Sequence, residues 1–104
     1  MSAGANGERR YGVHLSGVIA KRLRQLQRRA TLEGRGKAAV TAFRQIIERL
    51  EHDPFDFGEA LYRLPALRMQ VRHGGIGPMF IDFAVCEDRP LVFIKGVTLM
   101  PQRP

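Results

Sequence analysis

Cysteine is almost absent from this 104-residue sequence. The single Cys86 cannot close an internal disulfide, which excludes a disulfide-stapled secreted scaffold and points to a reducing compartment. Its apolar neighbours mark it as a small buried hydrophobe rather than a nucleophile. Long apolar runs are missing as well: none approaches the roughly 18 residues that a membrane helix requires, so no membrane partner is expected. The first residues lack a charged start followed by an apolar stretch of about 7–15 residues, so no secretory signal is expected and the cytoplasm is the expected location. Acidic residues are scarce beside basic ones: 10 Asp and Glu face 17 Lys and Arg, a formal net charge of +7. A field of that sign attracts polyanions such as RNA, DNA or an acidic protein segment, without choosing among them.

What is present describes one small globular domain. At 44% hydrophobic and 26% charged the chain lies near the average for such proteins. A chain of this mass can bury about 65% of its extended surface, enough for a single core. Residues 1–8 are small and polar and read as a disordered tail, 9–100 as the domain, and 101–104 as a short C-terminal tail.

The periodicity predicts an α+β order. Tyr11, Val13 and Leu15 alternate with smaller or polar residues as a first strand, and Ser16 stands where it can cap a following helix. Val18, Ile19, Leu23, Leu26 and Ala30 then recur at helical spacing, with Lys21, Arg22, Arg24, Gln25, Arg28 and Arg29 on the other face. Gly34-Arg35-Gly36 interrupts the pattern, and Ala39, Val40, Phe43, Ile46, Ile47 and Leu50 resume it, so the two helices form an antiparallel hairpin. Asp53-Pro54 ends the second helix. Phe55 to Leu64 reads as an irregular connection. Leu67, Met69 and Val71 alternate with Arg68, Gln70 and Arg72, a half-buried strand carrying its charge on one face. Gly74, Gly75, Gly77 and Pro78 read as a turn, and the apolar segments Met79–Val85 and Leu91–Leu99 as two more strands. Short connections make these three strands an antiparallel meander with the helices over one face.

This order, and several short segments, resemble the RelE/ParE superfamily of toxins from bacterial type II toxin–antitoxin systems, the plasmid-stabilisation-like proteins. Ile46-Ile47-Glu48-Arg49-Leu50-Glu51-His52-Asp53-Pro54 is similar to the family's second-helix ending. Gly58, Leu61, Leu64 and Leu67-Arg68 follow its approach to the basic strand, Arg72 stands at its basic position before the turn, and Val92-Phe93-Ile94-Lys95-Gly96-Val97 is similar to its last strand. The resemblance implies a β-α-α-β-β-β fold, an antitoxin partner, and action on the ribosome or RNA as a ribosome-dependent messenger-RNA endonuclease. Met79 and Asp82 occupy the places where the family commonly carries an arginine and an aromatic, and Thr98-Leu99-Met100-Pro101 replaces its basic and tyrosine ending. Those departures keep open a non-catalytic RelE/ParE-fold binding protein, either an inhibitor of a target such as DNA gyrase or a homologue without toxicity.

Cutting RNA through its own 2′-hydroxyl needs a base, a cation for the charged phosphate and a proton donor for the leaving oxygen. Arg68, Arg72, His73 and Lys95 are the candidate catalytic residues. The two arginines would share a strand face and suit bidentate phosphate contact. His73 offers a proton carrier that works near neutral pH. Lys95 interrupts an apolar strand, with Phe93 and Val97 expected on its own face. Lys21, Arg24, Arg28 and Arg29 form the candidate nucleic-acid-binding face of the first helix, though such a charge run is often only a solvated face. Gly34-Arg35-Gly36-Lys37 lacks full phosphate-loop spacing and reads as a hairpin turn. His14 and His52 stand apart from other ligand types, so neither a metal nor any other cofactor is expected. The apolar surplus of the last two strands exceeds one buried face and offers a surface for an antitoxin tail.

Overall fold

The computed structural model describes residues 10–102. The tail assigned to residues 1–8 and the last two residues of the tail assigned to 101–104 lie outside them. In chain order the elements are β1 (Gly12–Leu15), α1 (Gly17–Leu32), α2 (Gly36–His52), β2 (Glu59–Leu64), a 3-10 turn (Pro65–Leu67), β3 (Met69–Ile76), β4 (Met79–Cys86) and β5 (Leu91–Leu99). Ser16 caps α1 as expected, its hydroxyl accepting from the Ile19 amide at 3.2 Å. Gly34, at φ 78°, supplies the left-handed residue that reverses the chain between the helices. α2 ends at His52, immediately before Asp53-Pro54.

The strands form one five-stranded mixed sheet in the order β1-β5-β4-β3-β2. Strands β2 to β5 pair antiparallel with one another in succession, and β1 lies parallel to β5, with Val13 beside Val92 and Leu15 beside Ile94. A parallel pair needs a long crossover, and the helix hairpin with β2 to β4 provides it. Both helices cover one face. Leu26 and Ala30 of α1 and Ala39, Ala42, Ile46 and Leu50 of α2 join Met79, Ile81, Phe83 and Val85 of β4 and Val92, Ile94, Val97 and Leu99 of β5 in the core. The Leu, Ile, Val, Phe and Met side chains among these stabilise by about 1.5–3 kcal/mol each when fully buried. Cys86 is buried and unpaired, as its surroundings predicted.

Three expectations from the sequence need correction. The segment Phe55 to Leu64 is not all irregular, because Glu59–Leu64 is a strand. It was obscured because every residue from Glu59 to Arg63 is exposed, so this edge strand shows no inside–outside alternation. Gly74 and Gly75 lie within β3, and the turn is confined to Gly77-Pro78. Both glycines serve close packing instead: a Cβ at Gly74 would approach the Phe57 ring at 2.9 Å, and one at Gly75 would meet the Phe80 ring at 2.4 Å. The basic strand begins at Met69 rather than Leu67, so Arg68 is outside it, held at φ 51° as the residue closing the 3-10 turn.

Candidate nucleic-acid interface

The side of the sheet away from the helices carries the exposed chemistry. Strand register sets its rows. Glu59, His73, Asp82 and Gly96 lie in one row across β2, β3, β4 and β5. Tyr62, Val71, Ala84, Phe93 and His14 form the next, reaching β1. The middle of that second row is small and covered, whereas Tyr62 at its β2 end is 54% exposed and His14 at the other end is also exposed.

His73 and Asp82 face each other across β3 and β4 with Nδ1 and Oδ1 2.6 Å apart, and both side chains remain open to solvent at 42% and 52%. An imidazole so bonded through Nδ1 has its orientation fixed and its Nε2 left for another partner. Phe80 supports the ring from below, stacked at 5.6 Å and 17°. The Phe80 ring lies over Gly75, where any side chain would displace it. A second stack, His14 on Phe93 at 5.2 Å, lies on the same side of the sheet. The face therefore presents Tyr62 and two stacked histidine–phenylalanine pairs, His14–Phe93 and His73–Phe80, and in the second pair the imidazole is held by the Asp82 carboxylate.

Lys95 belongs to this surface for a reason that alternation alone misses. The β4–β5 register shifts between Asp82 and Phe83, so that Gly96 pairs with Asp82 while Ile94 pairs with Phe83. Lys95 is the inserted residue of a β-bulge. Ile94 and Val97 both enter the core, which leaves Lys95 and Gly96 on the opposite side beside Asp82. The expectation that Phe93 and Val97 share the face of Lys95 is thus half wrong: Phe93 does, and the bulge turns Val97 inward.

The arginines do not join this cluster. Arg72 projects to the helix side, opposite Phe83, and is only 8% exposed. Its Nε donates to the Phe57 carbonyl and its Nη2 to the Gly58 carbonyl, both at 3.1 Å, while Nη1 donates to Gln70 Oε1. Phe57 stacks on Phe83 at 5.9 Å and is covered by the Arg49 guanidinium at 5.1 Å. Arg72 is thus a clamp that holds the entry to β2, and its geometry corrects the expectation of an arginine pair displayed on one strand face. Arg68 is exposed just before β3, five residues from His73, and the strand from Met69 to His73 alone spans roughly 13 Å. It stands near Glu87, which also takes a two-armed contact from Arg63 at 2.6 Å. Hydrogen bonding and the charge of Arg63 hold the Glu87 carboxyl below its usual range, and the same contact raises Arg63.

Lys21, Arg24, Arg28 and Arg29 are all exposed on α1. Because α1 packs against the other side of the sheet, these four cations face away from the His73–Asp82 surface. Sequence reasoning named His73 and Lys95 but passed over Asp82 and Tyr62 as partners. The signal was available for Asp82, the one charged residue of an otherwise apolar β4 segment. Tyr62 carried none, since its strand was not recognised.

Among the described residues, no three His, Cys, Asp or Glu side chains are grouped as metal ligands would be, and no helix is long and apolar enough to cross a membrane. In comparisons with known proteins, no family model, no curated protein and no solved structure matches this chain.

Proposed function

We propose that this protein is a toxin-like RNA-binding component of RelE/ParE type, acting in the cytoplasm alongside an antitoxin, and that it cleaves single-stranded RNA laid across the open sheet face. The observation that carries this reading is the exposed His73–Asp82 pair, 2.6 Å apart, with His73 stacked on Phe80 and the His14–Phe93 stack on the same face. Unpaired bases stack on aromatic side chains exposed on sheets, with about 1–3 kcal/mol gained per base. Tyr62, Phe93 with His14, and Phe80 with His73 are suited to that role. The net charge of +7 draws the strand in.

The proposed chemistry starts from the Nδ1–Oδ1 contact: with Nδ1–H donating to the Asp82 carboxylate, His73 Nε2 is the lone-pair nitrogen that removes the 2′-hydroxyl proton. The 2′-oxygen then attacks the adjacent phosphorus. The exposed Lys95 ammonium balances the charge gained by the phosphoryl oxygens and gives a proton to the departing 5′-oxygen. The products are a 2′,3′-cyclic phosphate and a free 5′-hydroxyl; His73 then gives its proton to water and Lys95 takes one back from water, which restores both groups with no net change in protons. A second reading, a non-catalytic binding protein of the same fold, is favoured by one observation: the Arg72 guanidinium is fully engaged within the protein and cannot meet a phosphate without leaving its partners.

Induced expression in a bacterial host, with primer extension on a reporter message, separates the two. Growth arrest with discrete cleavage, abolished by His73→Gln and weakened by Asp82→Asn, is the expected result. Arrest with intact message supports the non-catalytic reading. Normal growth at verified soluble expression contradicts a toxin role.

A further inference from the structure

The outer seam between α1 and α2, on the side of the molecule away from the open sheet face, combines two features that a solvated helix surface does not need. The first is exposed apolar area. Leu32 is 88% exposed and Val40 41% exposed, although the core-facing stripes of both helices are already satisfied by Leu26, Ala30, Ala39, Ala42, Ile46 and Leu50. Val40 and Thr31 line both of two adjoining hollows along the seam, and Leu32 lines the first.

The second feature is the charge around those apolar side chains. Arg24 and Arg28 border one hollow and Lys37 and Arg44 the other. No Asp or Glu lines either hollow, and among the described residues none of these four cations is in a salt bridge. Arg35, Arg49 and Arg63, by contrast, each have a carboxylate. Unpaired cations on both sides of the exposed Leu32 and Val40 define the complement: an apolar stripe with carboxylates on either side.

We infer that the α1–α2 seam docks an acidic amphipathic helix of a partner protein. Two packed helices lie about 8–10 Å apart and leave a groove into which the side-chain ridge of a third helix fits. Apolar residues at i, i+3 and i+4 of the incoming helix cover Val40 and Leu32, and flanking Asp or Glu meet Arg24, Arg28, Lys37 and Arg44. A nucleic-acid backbone would use the cations equally well but would gain nothing from Leu32 and Val40, and the hollows offer no aromatic ring on which a base could stack. The assignment turns Arg24 and Arg28 from nucleic-acid ligands into protein-docking residues. It does not depend on the proposed chemistry of the sheet and stands or falls separately.

The test uses the full chain and a labelled synthetic peptide of roughly 16 residues, long enough to be helical, with Leu on one stripe and Asp and Glu flanking it. A scrambled peptide of identical composition controls for charge alone. Fluorescence anisotropy is expected to show saturable binding, about tenfold tighter than for the scramble. Val40→Asp and Arg28→Glu are each expected to weaken it about tenfold, while Arg22→Glu, an equal charge change on α1 outside the seam, is expected to have little effect. Unchanged circular dichroism of these surface variants confirms that they fold. Equal binding of the scramble, no saturable binding, or equal losses from Arg22→Glu would overturn the inference. So would a single-stranded RNA oligomer that displaces the peptide and is itself weakened by Val40→Asp, which would assign the seam to nucleic acid.

Discussion

Replacing Arg72 tests whether its guanidinium is a structural clamp or a phosphate ligand in waiting. In the folded protein it donates to two backbone carbonyls, those of Phe57 and Gly58, and to Gln70, with its side chain largely buried. Met fills much of the same volume without any donor, so Arg72→Met removes the hydrogen bonds while keeping most of the packing. Each buried acceptor left without a partner costs about 1–3 kcal/mol. Water reaches the Gly58 carbonyl more easily than that of Phe57, because Gly58 is exposed and Phe57 is not. The expected loss is therefore about 2–4 kcal/mol, in the lower half of the range for two orphaned carbonyls. Arg72→Lys recovers part of it, since an ammonium reaches one carbonyl but cannot span both with a planar fork. Urea denaturation with intact m-values measures the difference. Amide exchange locates it, with Glu59 to Leu64 losing protection first because β2 is the edge strand that the clamp secures. An Arg72→Met variant within about 0.5 kcal/mol of the wild type, the range of ordinary surface substitutions, would refute the clamp and return Arg72 to the list of phosphate ligands.

Other perturbations probe neighbouring parts of the structure. Gly58→Ala should lower stability by at least about 2 kcal/mol in urea unfolding, because φ is +68° there and a Cβ would meet the His73 carbonyl oxygen at 2.1 Å. Ser16→Ala should cost about 1 kcal/mol through loss of the Ile19 cap and shift the thermal midpoint downward. The Arg63–Glu87 contact lowers the Glu87 pKa, so its contribution is present above the ordinary carboxylate pKa and is lost as pH falls through the lowered value. Because both groups are open to solvent, the thermal midpoints of wild type and Glu87→Gln should differ only slightly at neutral pH and converge in acid. Gly75→Val should displace Phe80 from beneath His73 and reduce RNA cleavage more than it reduces RNA binding, measured on the same labelled oligomer.

The helical half of the fold was legible because its signals are local. Ser16, the spacing of Leu23, Leu26 and Ala30, the Gly34 reversal and Asp53-Pro54 act within a few residues, and the structure follows them closely. The strand half was only partly legible. β2 is an exposed edge without alternation, and Gly74 and Gly75 look like turn residues although they serve the packing of Phe57 and Phe80. The parallel pairing of β1 with β5 joins segments about 80 residues apart, and periodicity carries no trace of it. The same limit applied to the interface. Arg68 and Arg72 share a period-2 pattern, yet a left-handed residue at Arg68 and the strand start at Met69 separate them, and the parity of β3 sends Arg72 toward the helices. The His73–Asp82 contact depends on the β3–β4 register, and the placement of Lys95 on a bulge that no composition rule identifies. Sequence gave individual chemistry-bearing residues, and register decided which of them meet.

RNA binding at the open face of the sheet, as proposed, is followed residue by residue through the amide chemical shifts of the isotope-labelled full chain while a short single-stranded RNA is added. Saturable shifts are expected at Tyr62, His73, Asp82, Phe93 and Lys95, with Lys21, Arg24, Arg28 and Arg29 little changed. Shifts confined to α1, with the sheet face silent, would contradict it.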